Sequence, residues 1–145
     1  MLLGQYRLFL DDEHQLVLPD AFREQFDDGA YVTRGFEQNL LIISEREFQE
    51  IYKRVAGLNI ADPLARLLHR LILGNASKLE PSASGRICLP QDLLSFAGLE
   101  KDIVLVGQGD YCEAWAPEYW EKQTTILLDT AANSARFAQL DLALC

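Results

Sequence analysis

The chain has few of the residues that build disulfide frameworks and metal sites. It contains three cysteines and two histidines in 145 residues, and no CxxC or HxxxH pattern occurs. An odd cysteine count gives no disulfide framework, and two histidines are poor material for a zinc site. A structural metal is therefore not expected. Cys88 and Cys112 lie in alternating apolar stretches, which predicts that both are buried as small hydrophobic residues.

Long apolar runs and positive charge are also scarce. No stretch approaches the roughly 18 apolar residues that a membrane helix needs, and the N-terminus lacks the features of a signal peptide. These absences predict a cytoplasmic protein with no membrane partner. Thirteen Lys and Arg oppose 22 Asp and Glu, for a net charge of −9. Since phosphate affinity comes largely from Lys and Arg, this balance favours a protein partner, although a small basic patch repeated in an oligomer can still bind DNA.

Sequence signatures of catalysis and of cofactor binding are missing as well. The chain has no G-x-S-x-G elbow, no P-loop and no dinucleotide fingerprint, and Gly107-Gln108-Gly109 is an isolated GxG. Neither histidine has a context that suggests a base paired with a nucleophile. The sequence therefore predicts a protein that is not an enzyme, with no cofactor and no small-molecule substrate.

The most informative feature is a stretch that occurs twice. Residues 11–19 read DDEHQLVLP and residues 82–90 read SASGRICLP, so the copies align without a gap at a separation of 71 positions. Each has a polar or small-residue turn, an alternating strand and a closing proline. The second copy has Arg86 directly after its turn, where the first has Gln15. An Arg at this place can meet an anion or an acidic partner, or it can form a salt bridge with a neighbour such as Glu80.

The repeat extends through the predicted secondary structure. Alternation predicts strands over 3–10 and 15–18, joined as a hairpin, and the second copy predicts an equivalent hairpin. Ser44 with Glu47 has capping-box spacing and begins a helix, and Asp62-Pro63 begins another that links the two repeats. Each repeat reads β-β-α-β-β-α in an α+β fold. The expected divisions are 1–75 for the first repeat with its linking helix, 76–128 for the second repeat and 129–145 for a C-terminal tail. The tail is either a loosely attached helix or an oligomer contact.

Short segments along the chain match one bacterial family in order and at compatible spacing. These segments are residues 3–6, 19–24, 32–35, 73–77, 85–86, 99–101, 104–107 and 113–115, together with Trp120. They extend from the N-terminus to about residue 123. On these residues the chain resembles the MraZ family of transcription regulators.

The resemblance carries expectations about fold, assembly and function. It implies two tandem AbrB-like (SpoVT-type) repeats that form a swapped-hairpin β-barrel with packed helices. It also implies assembly into a homo-oligomeric ring and association with the nucleoid. The family binds DNA through an Asp-x-x-x-Arg motif in each repeat. Its targets are short repeated promoter elements, including those of the division and cell-wall gene cluster.

The first copy of this motif is incomplete. Asp11 matches its Asp, but His14 stands where the family has Gly, and Gln15 stands where it has Arg. Replacing Arg by Gln removes a charge-assisted contact to phosphate or base, while Gln retains neutral hydrogen bonding. This turn is therefore expected to bind DNA less well than the second.

The second copy keeps the other half of the motif. Gly85 and Arg86 match, while Ser82 stands where the family has Asp. We expect Arg86 to be the principal DNA-contacting residue, with Gln15, Arg7 and Arg23 contributing less. The alternative is a divergent member that has lost most of its DNA binding and acts as an oligomeric scaffold for protein interactions, which the acidic balance and the two incomplete motifs favour.

Overall fold

The computed structural model describes residues 1–140, in which two β-β-α-β-β-α units follow one another. The strands are β1 Gln5–Phe9, β2 Gln15–Val17, β3 Ala30–Arg34, β4 Leu40–Ser44, β5 Ser77–Leu79, β6 Arg86–Cys88, β7 Asp102–Gly107 and β8 Tyr111–Trp115. The helices are α1 Asp20–Arg23, α2 Glu45–Ala56, α3 Pro63–Ile72, α4 Gln91–Ala97, α5 Pro117–Leu127 and α6 Thr130–Phe137, with a 3₁₀ turn at Glu24–Phe26. Helix α6 falls in the expected tail, of which residues 141–145 lie outside the described residues. None of the described helices is long and apolar enough to cross a membrane.

The strands pair mainly between the two repeats. An antiparallel sheet has the order β1-β7-β8-β4-β3-β5, and a second sheet contains only β2 and β6. The prediction that β1 and β2 form a paired hairpin is wrong, and so is the equivalent prediction for β5 and β6, since β5 pairs with β3 and β6 pairs with β2. After β1, the backbone N–H of Leu10 donates to the carbonyl of Lys101 at 2.7 Å, so the strand continues along the second repeat. Alternation indicates which side chains share one face of a strand, but it cannot show which strand is the neighbour.

The pairing has an internal two-fold symmetry. Leu16 pairs with Ile87 in the small sheet, and these two residues are equivalent at the repeat separation of 71. Leu41 pairs with Glu113 in the large sheet, at a separation of 72. A residue that pairs with its own equivalent lies on a two-fold axis, so the axis passes through both sheets. The difference of one residue comes from loops of unequal length.

Both sheets enclose one hydrophobic core. Leu16 and Ile87 from the small sheet pack in the same cluster as Val32, Ile42 and Leu105 from the large one. The predicted α+β fold with tandem repeats is confirmed. The described hydrogen bonds do not close the strands into a barrel, since the large sheet ends at β1 and β5 and the small sheet is bonded to neither.

The predicted helix starts and one of the two cysteine predictions are confirmed. The Ser44 hydroxyl accepts from the Glu47 N–H at 3.3 Å, and the Asp62 carboxylate accepts from the N–H of Leu64 at 2.9 Å. Cys112 is buried as expected, and this burial raises the pKa of its thiol. The prediction for Cys88 is wrong, because its strand turns the central Ile87 inward and leaves Cys88 exposed.

Glu113 is a partly buried carboxylate on β8, near the two-fold axis. One of its carboxylate oxygens accepts from the indole N–H of Trp115 and from the amide of Gln108, both at 3.1 Å. Burial is the main cause that raises the pKa of Glu113 above its ordinary value of 4.5, and the charge of Glu37 adds to it, while the hydrogen bond from Trp115 opposes it. The favourable contribution of the protonated carboxyl is complete below pH 4.5 and is lost as the pH rises through the raised pKa.

We therefore expect Glu113→Gln to raise the melting temperature at pH 7, because glutamine keeps an acceptor oxygen but carries no charge. The gain should shrink as the pH falls toward 4, where the wild-type side chain is protonated too. Thermal unfolding across this pH range, with the exposed Glu118→Gln as control, measures the effect. A gain that does not depend on pH would show that the charge of Glu113 is not its cause.

Candidate nucleic-acid interface

The two repeated stretches form turns with the same backbone hydrogen bonds. In the first, the N–H of His14 donates to the carbonyl of Asp11 at 3.0 Å, and in the second the N–H of Gly85 donates to that of Ser82 at 2.9 Å. His14 and Gly85 both have positive φ, 62° and 79°. The left-handed conformation favours glycine and is uncommon for other residues. The turn geometry is thus retained in the first copy even though histidine replaces the glycine.

Each turn is also held by its first side chain. The Oδ1 atom of Asp11 accepts from the N–H groups of Glu13 and Gln15, both at 2.9 Å. The hydroxyl of Ser82 accepts from the N–H of Arg86 at 3.1 Å. Local side-chain acceptors of this kind stabilise turns in place of a backbone acceptor. Serine can therefore hold the turn in the second copy as aspartate does in the first.

The two turns lie side by side because β2 and β6 pair. The N–H of Leu18 donates to the carbonyl of Gly85 at 2.8 Å, and the N–H of Leu89 donates to the carbonyl of His14 at 2.9 Å. These two hydrogen bonds are equivalents of each other at the repeat separation. Each turn is thereby attached to the strand of the other repeat.

Across this junction Arg86 meets Asp11. The Nη1 atom of Arg86 lies 3.2 Å from Oδ2 of Asp11, and the side chains are 46% and 43% exposed. The salt-bridge partner of Arg86 is therefore Asp11 and not Glu80, the neighbour considered from the sequence. The two halves of the incomplete motif, one from each repeat, form a single pair in space.

Arg23 lies against the second turn. Its Nε atom donates to the carbonyl of Leu18 at 3.2 Å, and its Nη2 atom lies 3.0 Å from Asp20. A Cβ atom at Gly85 would lie 2.5 Å from Nε of Arg23, so glycine lets the Arg23 side chain pass over the turn. Arg23 also borders a cleft of about 200 Å³ together with the second turn. This second role for Gly85 could not be predicted from the sequence, because it depends on a contact with Arg23, which is 62 positions away.

The other two predicted residues have fewer contacts at the turns. Gln15 begins β2 opposite Cys88, and the hydrogen bonds found for it within residues 1–140 use its backbone. Arg7 is exposed on β1 opposite Val104, and over the same residues it has no hydrogen bond or ion pair with either turn. The structure thus brings Arg86, Asp11 and Arg23 to the turns and leaves Arg7 on the neighbouring strand. In the described part of the chain, no group of three His, Cys, Asp or Glu side chains is arranged to hold a metal ion.

These features define an intertwined tandem-repeat α+β protein that presents two equivalent turns side by side. Residues 1–71 and 72–141 each match the family described as MraZ protein, putative antitoxin-like. The chain is 36% identical over 139 residues to the transcriptional regulator MraZ of Thermomicrobium roseum, covering 96% of both chains. It is 35% identical over 141 residues to the transcriptional regulator MraZ of Micrococcus luteus, covering 97% of this chain and 94% of that one.

The chain belongs to the MraZ family, with two MraZ repeats. The resemblance drawn from the short sequence segments is confirmed. Membership in a family of transcriptional regulators also confirms that the chain is not an enzyme.

Proposed function

We propose that this protein is a DNA-binding transcriptional regulator whose main contact with DNA is Arg86. The observation that carries the proposal is the position of this side chain: it projects from an exposed turn and is held from the other repeat by Asp11. The relatives of the chain bear the name transcriptional regulator. Regulators of this kind act on DNA, and an exposed, oriented guanidinium is suited to phosphate oxygens and to the edge of guanine.

The geometry leaves most of the Arg86 donors available. A guanidinium has five N–H donors, and the contact with Asp11 occupies one nitrogen. Arg23 adds a second cation beside the same turn. We assign lesser contributions to Gln15 and Arg7, of which the first can form neutral hydrogen bonds and the second can contact phosphate.

The net charge of −9 makes assembly important to this proposal. One small cationic site on an acidic body binds DNA weakly, but several linked copies bind together with a much higher avidity. We propose a homo-oligomeric ring in which copies of the Arg86 turn reach successive DNA elements. Closed rings result when each subunit uses two different surfaces.

Two apolar helical surfaces are suited to such contacts. On α3, Leu64 and Leu67 are 71% and 59% exposed and border a groove with Leu58. A second group of exposed apolar residues extends from the last turn of α5 to just beyond α6 and consists of Ile126, Leu127, Leu128, Phe137 and Leu140. Helix α3 follows α2 and helix α6 follows α5, so the two helices have the same place in the order of elements of the two repeats. Large exposed apolar patches are uncommon on soluble monomers. Contact with further copies of the chain would bury both of these surfaces.

We expect the double variant Leu64→Asp/Leu67→Asp to dissociate the oligomer, since burying two carboxylates in an apolar interface is costly. Light scattering after gel filtration measures the mass, and circular dichroism checks that the fold is retained. Leu64 and Leu67 are exposed in the single chain, so the fold should survive. An oligomer of unchanged mass would show that the α3 surface is not an interface between copies.

The architecture, the repeat boundaries and the location of the protein are part of the same proposal. We propose that the small sheet and the large sheet together form a swapped-hairpin barrel, on the support of their common core and their pairing between repeats. The repeats comprise residues 1–75 and 76–128, with 129–145 as a tail. We place the protein in the cytoplasm at the nucleoid, on short repeated promoter elements of the division and cell-wall gene cluster.

A gel shift with the DNA upstream of the protein's own gene tests the function. We expect a saturable complex with this DNA at 50 mM salt and a weaker one with scrambled DNA of equal length. The alternative function, an oligomeric scaffold for protein partners, would be favoured if an intact oligomer gave no complex with either DNA at this salt concentration.

A further inference from the structure

The contact between Arg86 and Asp11 has an equivalent on the other side of the two-fold axis. At the repeat separation of 71, Asp11 corresponds to Ser82 and Arg86 corresponds to Gln15. The symmetry-related equivalent of the Arg86–Asp11 pair is therefore the pair Gln15–Ser82. One side of the junction has a cation and an anion, and the other side has two neutral side chains.

Asp11 and Ser82 differ in the number of side-chain oxygen atoms that each can offer to an arginine. Asp11 uses Oδ1 for the turn, where it accepts two backbone N–H groups, and Oδ2 for Arg86. Ser82 has only one oxygen, which accepts from the N–H of Arg86 and also lies 3.0 Å from the hydroxyl of Ser84. Serine can thus hold its turn but has no second oxygen for a guanidinium. An arginine at position 15 would find no carboxylate to orient it.

We propose that the pairs Asp11–Arg86 and Gln15–Ser82 are the two symmetry-related halves of one contact between the repeats. We also propose that residues 15 and 82 are coupled, so that the effect of a substitution at position 82 depends on the residue at position 15. This inference rests on the proposed DNA-binding function and adds roles within it. Asp11 is a positioning residue for Arg86, and the turn of Gln15 makes no ionic contact with phosphate. Of the two equivalent motif positions, 15 and 86, each chain therefore offers DNA an arginine at only one, and it binds with a defined polarity.

The test introduces an arginine at position 15 and an aspartate at position 82, first separately and then together. Four proteins are compared by fluorescence anisotropy with the same promoter DNA: wild type, Gln15→Arg, Ser82→Asp and the double variant. In the wild-type background Ser82→Asp should weaken binding about 3- to 10-fold, because it adds an unpaired negative charge beside DNA. In the Gln15→Arg background the same substitution should cause no loss, because the new carboxylate orients the new arginine. The slope of log K against log salt should be steeper by about 0.9 for the double variant than for wild type, because the new arginine adds one phosphate contact.

A second measurement of the same four proteins needs no DNA. The change in melting temperature caused by Ser82→Asp is measured in both backgrounds. It should be more favourable by roughly 1–3 °C in the Gln15→Arg background than in wild type, which is the contribution of one exposed ion pair in a domain of this size. Ser84→Asp, on the same turn and equivalent to Glu13, is the matched control and should show no dependence on residue 15.

The two measurements separate this inference from the function on which it rests. A background-dependent effect of Ser82→Asp in both measurements supports the coupled pair. Equal effects in both backgrounds, in a protein whose DNA binding depends on Arg86, would overturn the coupling and leave the function in place. Coupling in melting temperature without DNA binding by wild type would support the pair and refute its role at DNA.

Discussion

Arg86→Ala is expected to lower the affinity for promoter DNA by at least about 10-fold at moderate salt, and to abolish a visible complex in a gel shift. Loss of one specific arginine contact costs about 1–3 kcal/mol per site. In an oligomer the loss is repeated at every subunit that contacts DNA, so the effect on total affinity is larger. The side chain is about half exposed and its removal leaves the core unchanged, so the fold should remain intact.

The matched control for this experiment is Arg54→Ala, which removes an exposed arginine from α2. The net charge of the two variants is equal, so a difference between them reports position and not total charge. Arg86→Lys should retain part of the affinity, since lysine keeps the charge but lacks the forked geometry of arginine. Equal affinity of Arg86→Ala and wild type at low salt would remove Arg86 from the site.

Leu16→Ala is expected to reduce the free energy of unfolding by about 2–5 kcal/mol, as large-to-small changes in a closed core do. Leu16 is 1% exposed and pairs with Ile87 on the two-fold axis. The cavity would lie where the strands of the two repeats meet, so the substitution weakens the support of both turns at once. This loss is a large part of the 5–15 kcal/mol that is typical of a folded domain.

Urea unfolding followed by circular dichroism measures the change for Leu16→Ala. Val17→Ala, one residue further on the more exposed face of the same strand, should cost clearly less. A cost for Leu16→Ala of less than about 0.5 kcal/mol, the range of an ordinary surface substitution, would contradict the position of this residue at the centre of the core.

The local elements of the fold could be predicted from the sequence because their signals are local. The cap at Ser44 and the cap at Asp62 with the following proline are each set within a few residues. The copies at 11–19 and 82–90 predicted two equivalent turns, which the backbone hydrogen bonds match. The chain carried enough of the family pattern to indicate MraZ repeats.

The pairing of strands could not be predicted in the same way, because it depends on contacts between distant residues. Arg86 and Asp11 are 75 positions apart, and their contact exists only because β2 pairs with β6. The sequence offered Glu80 as the closer partner. The exposure of Cys88 was missed for a related reason: a three-residue strand alternates equally well in either direction, and its inward residue is chosen by the strand that it joins.

We propose that this acidic protein binds DNA through a cationic contact assembled from both repeats. The most direct test of this proposal is an anisotropy titration of the wild-type protein with its own upstream DNA, repeated between 50 and 200 mM salt beside Arg86→Ala. We predict that log K for wild type falls linearly with log salt, and that the slope for Arg86→Ala is smaller by about 0.9 for each lost phosphate contact. Absence of wild-type binding at 50 mM salt, or equal slopes for the two proteins, would contradict the claim.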